Sequence, residues 1–381
     1  MRSDQDEAAP VLPHHSQVDR HDFLDLLKQL IRQPAVVGAE HSFYQVLKRE
    51  LDEVGVRVSM FEGLLVAEGR DPASLRISAH VDRHGLVCTG PNEFQYAAYV
   101  ARNRGDLTGN SISEQTYQTM AGRFGGNPLH AYEPWSGVYL GTGTIRGSFL
   151  CERRGNIIFE TEGLGHLLPG TPVAYLDRMV HSGDRISAQL DNVLSVAVLI
   201  HLFRHGFQGT AFFTSQEEAG RSWRFLLEWF QRYDLSTERL LVLDTSPFPD
   251  DAQANSQDLV LRRRDTHAPF SPALVAELEA ICNRLGFSYL FKDEWMERTN
   301  EERAKQGLPV RSVGSTELGR LIVASGGKIQ GATLQIPTTG YHTPRESARL
   351  TSVFGCIDTI WALAGMKKPI RRQRRAAKVE P

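Results

Sequence analysis

The sequence predicts an α/β protein: a mixed, mainly parallel sheet sandwiched by helices, with a small β domain inserted into it. Three observations lead there. Short apolar, strand-like runs alternate with helical runs along most of the chain, the pattern of a parallel sheet covered on both faces. The links between these runs are short. One stretch, from about residue 88 to 185, loses that rhythm and is rich in Gly, Thr, Tyr and short β-like segments, as a small β unit would be.

Residues 1–20 are polar and without period, and read as a flexible tail in which His14 and His15 are solvated. "HDFLDLLKQLIRQP" spaces its apolar residues as a helix and stops at Pro34; "AEHSFYQVLKRELDEVG" is a second amphipathic helix ending at Gly55. "SLRISAHV" reads as a buried strand. In the β-rich stretch "SGVYLGTGTIRGSFL", "GNIIFET", "TPVAYL" and "DRISAQL" read as strands, and no long amphipathic helix is expected. "DNVLSVAVLIHLFRHG" is apolar nearly all round, which predicts a buried helix, closed by Gly206. "GTAFFTS" is a strand, "RSWRFLLEWFQRY" a helix and "RLLVLDT" a strand; "SPALVAELEAICNRLG" and "ARLTSVFGCIDTIWALAG" are the closing helices. Residues 367–381 form a basic tail, read as solvated. The expected organisation is a discontinuous main domain over 21–87 and 186–366, with the inserted domain over 88–185.

A chain of 381 residues suits two domains, and 41% hydrophobic with 23% charged residues is an ordinary soluble balance. A formal net charge of −2 gives no reason to expect nucleic acid or an anionic membrane as partner. No apolar run reaches membrane-spanning length, and the N-terminus lacks a hydrophobic signal region. Four scattered cysteines, with no CxxC pair, suit a reducing compartment, so a cytoplasmic location is expected.

Functional groups of open α/β sheets collect beyond the carboxyl ends of strands, and five segments place metal-capable side chains there. "SAHVD" ends a strand with His80 and Asp82, which alternation turns to one side. "AQLDN" sets Asp191 before a helix, and "SQEEAG" supplies Glu217 and Glu218. "LVLDTSP" ends a strand with Asp244, and "TTGYHTPRES" puts His342 in a loop before the last helix. Singly, each has a plain reading as a cap, a core histidine or a solvated pair. Together, at one end of one sheet, they concentrate negative charge that would be costly to bury and that divalent cations neutralise.

The ordered set "HVD", "QLDN", "QEEAG", "LVLDT" and "TGYHTP" resembles the co-catalytic metallopeptidases of clan MH, and within them the glutamyl aminopeptidase / tetrahedral aminopeptidase family. The resemblance covers about residues 22–365. It implies a zinc-peptidase-like catalytic domain and two divalent ions per subunit, zinc first, with cobalt or manganese as alternatives. It implies that Asp191 bridges the ions, that His80 and Asp244 complete one, and that Glu218 and His342 complete the other. Glu217 is then the general base toward the attacking water, and Asp82 a carboxylate that orients the His80 imidazole. A cis peptide at Asp191–Asn192 is implied as well. The expected activity is removal of N-terminal residues from peptides. A related carboxypeptidase or N-acyl amino-acid amidohydrolase ranks second, and a non-catalytic assembly or peptide-binding homologue third. Peptide substrates and a dimer-based homo-oligomer, up to a dodecamer, are the implied partners.

The chain departs from the family at several points. "HVDRHG" has Arg83 and His84 where the family usually has Glu and an apolar residue. Both are expected to line a turn, ahead of a specificity role for Arg83 toward a substrate ammonium or carboxylate; His84 as a third metal-site histidine ranks last. "GSTELG" has Glu317 where the family carries aspartate. Residues 90–135 and 293–308 read as polar insertions, the first as a lid, an oligomer contact or a disordered loop, the second near the substrate side.

Overall fold

The structure, a computed structural model, describes residues 17–102 and 112–366. His14 and His15, residues 103–111 of the polar insertion and the basic tail from 367 lie outside the described residues. Helices α1 (Gln17–Ile31) and α2 (His41–Asp52) precede a hairpin of β1 (Arg57–Phe61) and β2 (Leu64–Glu68), then β3 (Arg76–His80). The inserted unit holds β4 (Leu86–Gly90), β5 (Glu93–Tyr96), α3 (Ala97–Arg102), α4 (Glu114–Phe124), β6 (Leu129–Tyr132), β7 (Tyr139–Cys151), β8 (Asn156–Glu162) and β9 (Pro172–Tyr175). Strands β10 (Val180–Ser182) and β11 (Arg185–Ala188) lead back to α5 (Val193–Arg204), β12 (Thr210–Thr214), α6 (Ser222–Arg232) and β13 (Thr237–Pro247). Then follow α7 (Asp251–Asn255), β14 (Leu259–Leu261), α8 (Pro272–Leu285), β15 (Tyr289–Phe291), α9 (Lys292–Lys305), α10 (Glu317–Ala324), β16 (Ile329–Thr338), β17 (Glu346–Arg349) and α11 (Leu350–Leu363).

The main sheet has eight strands in the order β1-β2-β12-β3-β13-β16-β14-β15. Its centre, β12, β3, β13 and β16, is parallel, and the antiparallel pairings lie toward its two sides. Every residue of β12 is buried, which is why "TAFFT" carries no polar alternation. Helices α1, α2, α5, α8 and α11 pack together on one face, and α6 with α10 on the other. α5 buries all but its last residue, as its all-round apolar sequence requires. The Asp191–Asn192 peptide is cis.

The inserted strands close into a six-stranded barrel with its own core. Two features differ from the sequence reading. The stretch contains α4: its Phe124 is fully buried against Phe159 and Tyr175, with ring centroids 5.3 and 5.0 Å apart, and Tyr117 and Met120 pack on the same core. "DRISAQL" supplies β11, which pairs with β10 and β17 in a separate three-stranded sheet rather than with the barrel. The polar segment 293–308 is largely helix α9. The β1–β2 hairpin and β14, β15, β16 and β17 were not read from the sequence.

Candidate metal centre

The parallel register aligns the strand ends that carry the site. His80 closes β3 opposite Thr214, the last residue of β12. Asp244 lies in β13, which pairs with β3 on the other side. Glu217 and Glu218 follow β12 directly, Asp191 precedes α5, and His342 sits in the loop between β16 and β17. All five expected ligands therefore meet at one rim of the sheet, in two clusters. In the first, His80 Nε2 is 3.2 Å from Asp191 Oδ1 and 3.5 Å from Asp244 Oδ1. In the second, His342 Nε2 is 3.5 Å from Asp191 Oδ2 and 3.6 Å from Glu218 Oε2. Asp191 thus turns one oxygen to each cluster.

His80, Asp191 and Asp244 offer donors within 4.8 Å of one another, and so do Glu218, His342 and a further residue, His84. Its Nε2 is 2.8 Å from Glu218 Oε2, and its ring is 3.7 Å from that of His342. The residues fit divalent cations by two tests. Mixed imidazole and carboxylate donors suit zinc, cobalt or manganese. Asp191 Oδ1 and Glu218 Oε1 are buried without a hydrogen-bond partner, a cost that a cation removes.

Electrostatics separate the groups. Burial pushes the Glu218 carboxyl up to about 8, against the pull of His342. Burial also raises Glu217 well above the usual carboxylate range; His80 opposes this, while Glu218, Asp244 and Asp82 add to it. Burial lowers His342 to about 4 and His84 to about 3, so both rings are neutral, the form that binds metal. His80 is the exception: burial lowers its pKa, but hydrogen bonds to Asp191, Asp244 and Asp82 outweigh it and hold the pKa well above the usual histidine value. Glu217 lines a small cavity of about 10 Å³ with His80, Asp244 and Glu317, room for about one water.

Behind the donors stands a set of buried carboxylates that grip backbone. Asp82 Oδ1 and Oδ2 accept the N–H groups of Glu217 and Glu218 at 2.9 and 3.0 Å. Its carboxylate is 3.6 Å from His80 Nδ1, which instead lies 3.2 Å from the Asp82 carbonyl oxygen. Glu346 accepts from the backbone of Leu190, Asp191 and His342. Glu40 accepts from Gly38 and Gln216. Gln216 and His342 have φ of 59° and 60°, a left-handed conformation unfavourable for non-glycine residues, and a carboxylate holds the N–H of each. Glu317 accepts from Ser78 and Thr214 hydroxyls at 2.6 and 2.8 Å, beneath His80.

Sequence reasoning ranks His84 last as a metal-site histidine and does not single out Glu346 or Glu40. His84 carried a usable signal: His80, Asp82 and His84 continue the period-two alternation of β3 past its end. Glu346 and Glu40 carried none, because their roles depend on partners far away in the chain. Arg83 points away from the site. Its guanidinium donates to the carbonyls of Ile31 and Gln33 and lies 5.9 Å from the Phe43 ring, so it pins the end of α1 rather than lining a turn or a substrate pocket.

This fold is an α/β sandwich with an inserted β domain, an architecture found among aminopeptidases. In particular, the fold is that of the TET aminopeptidases. The chain superposes on the TET aminopeptidase of a marine sediment Thaumarchaeota archaeon with TM-score 0.66 at 14% identity, covering 92% of this chain and 97% of that one. The aminopeptidase of Desulfurococcus kamchatkensis matches with TM-score 0.64 at 15% identity, over 92% and 96% of the two chains. Pyrococcus horikoshii TET1 peptidase, which can assemble into a tetrahedron or a large octahedral shell, matches with TM-score 0.61 at 18% identity, over 90% and 99%. No family model and no curated protein matches the sequence.

Proposed function

We propose that the protein is a dinuclear metal-dependent aminopeptidase of the TET family, removing N-terminal residues from peptides. The observation that carries this is the pair of donor clusters sharing Asp191, with Glu217 beside them but in neither. Two divalent ions, zinc first among them, would polarise the scissile carbonyl and lower the pKa of the attacking water. His80 and Asp244 would hold one ion, Glu218 and His342 the other, and Asp191 both. Glu217, with its carboxyl facing the small cavity, takes the proton from the attacking water and delivers it to the leaving amine. Asp82 fixes the backbone from which Glu217 and Glu218 project.

The barrel is read as the assembly and access module of a homo-oligomer, within an inserted domain over 88–185. Exposed Trp135, Val138, Tyr139 and Leu140 on and beside β7 support that reading. A cytoplasmic location goes with it: the four cysteines are free, and no helix among the described residues is long and apolar enough to cross a membrane.

The test is a Glu217→Gln variant beside wild type on free-amino, N-acylated and C-terminal peptide analogues, with bound metal measured in both. Wild type is expected to cleave only free-amino peptides, and the variant to keep its metal while losing turnover by about 10²–10⁴-fold. Cleavage of N-acyl amino acids alone would replace this reading with that of an amidohydrolase.

A further inference from the structure

We propose that His84 is a further side-chain ligand of the second ion, so that this ion is held by two imidazoles, His84 and His342, together with Glu218 and the shared Asp191. The inference rests on the dinuclear reading above and adds a ligand that the family pattern does not supply. Three features of the site carry it. The His84 Nε2 atom belongs to the same group of donors as Glu218 and His342, all within 4.8 Å. That atom is buried and has no hydrogen-bond partner, although Glu218 Oε2 lies only 2.8 Å away. Finally, the opposite ring nitrogen, Nδ1, meets the hydroxyl of Tyr96, a barrel residue only 1% exposed.

The Tyr96 contact fixes both ring and tautomer. With Nδ1–H donated to the tyrosine oxygen, Nε2 keeps its lone pair for a cation, and the buried phenol prevents the ring from swinging away. An imidazole binds a metal ion in its neutral form, so it adds a donor without adding charge. The two clusters then differ in kind. The first offers one nitrogen and two carboxylates; the second offers two nitrogens and two carboxylates. Nitrogen donors favour zinc or cobalt over manganese. The second cluster is therefore the tighter one and fills first.

The experiment is a calorimetric zinc titration of metal-stripped wild type, His84→Ala and Tyr96→Phe, with X-ray absorption on the cobalt-loaded proteins to count imidazoles. Wild type is expected to bind in two steps, with three imidazoles shared by two ions. In His84→Ala the tighter step weakens at least ~10-fold, the other stays within about twofold, and one imidazole is lost. Tyr96→Phe weakens the tighter step several-fold while keeping every imidazole. The inference is overturned if His84→Ala keeps both affinities, if it binds the second ion more tightly, or if wild type shows only two imidazoles for two ions. The wild-type spectrum decides the point even if His84→Ala does not fold. An active wild type with an unchanged His84→Ala variant sinks this inference alone. A wild type with three imidazoles that hydrolyses no peptide sinks only the aminopeptidase reading.

Discussion

Glu346 Oε2 accepts the backbone N–H of Asp191 at 2.8 Å, although 155 residues separate them. The same carboxylate receives the N–H groups of Leu190 and His342, so one side chain sets the bridging aspartate and a histidine of the second cluster together. In Glu346→Ala three backbone donors lose their acceptor. Stability is expected to fall by about 3 kcal/mol in urea denaturation, and zinc affinity by about 10–100-fold in calorimetry. Unchanged metal affinity would show that the carboxylate does not position these ligands.

Asp82 presents a sharper choice. Its carboxylate accepts from the backbone of Glu217 and Glu218, and lies 3.6 Å from the His80 ring. Asp82→Ala is expected to weaken the ion bound by Glu218 about 10-fold and to leave the ion bound by His80 within about twofold. The opposite pattern would mean that Asp82 acts mainly by orienting His80, as the sequence resemblance implies.

Arg83→Ala is expected to cost about 2–4 kcal/mol, because the carbonyls of Ile31 and Gln33 lose a buried donor. The ranking of N-terminal residues cleaved from a peptide library should not change. A changed ranking would return Arg83 to the substrate pocket.

Metal-stripped protein is expected to lose stability as pH rises from about 6.5 to 8. Burial raises the carboxyls of both Glu40 and Glu218 from 4.5 to about 8, so in this window the folded chain keeps protons that the unfolded chain has released. His84 and His342, lowered to about 3 and 4, act in the opposite sense, but only below their unfolded value of 6.5. Lys292, lowered by burial to about 7, opposes the trend above that pH as a single group. The expected loss is about 1–3 kcal/mol. Calorimetric melting at a series of pH values checks it, and saturating zinc should flatten the slope by keeping Glu218 ionised. A melting temperature that climbs across this window would refute the assignment.

What could be read from the sequence follows from how local each signal is. The runs of β3 and β12 were legible because each is an apolar run that stops at a polar residue, and Asp244 because it breaks the apolar run of β13, although that strand continues to Pro247; His80, Glu217, Glu218 and Asp244 could thus be placed before any contact was known. Asp191 and His342 were legible from their position before helices. The barrel was legible only as a region, since its closure depends on pairings such as Leu129 with Tyr175 that no local pattern encodes. α4 was hidden because only Phe124 is fully buried, while Tyr117 and Met120 on the same face are half-buried among polar neighbours. His84 reads as a turn residue, and Glu40 and Glu346 do not stand out, because a buried polar side chain and a solvated one are written with the same letter.

The reach of Glu346 also bears on the order in which the site can be completed. The carboxylate that sets Asp191 belongs to β17, which follows β3, β12 and β13 in the chain. The strands that lead to His80, Glu217, Glu218 and Asp244 therefore all precede the segment that fixes the bridging position, so a sheet with these side chains in place is still short of a finished site until β17 joins it.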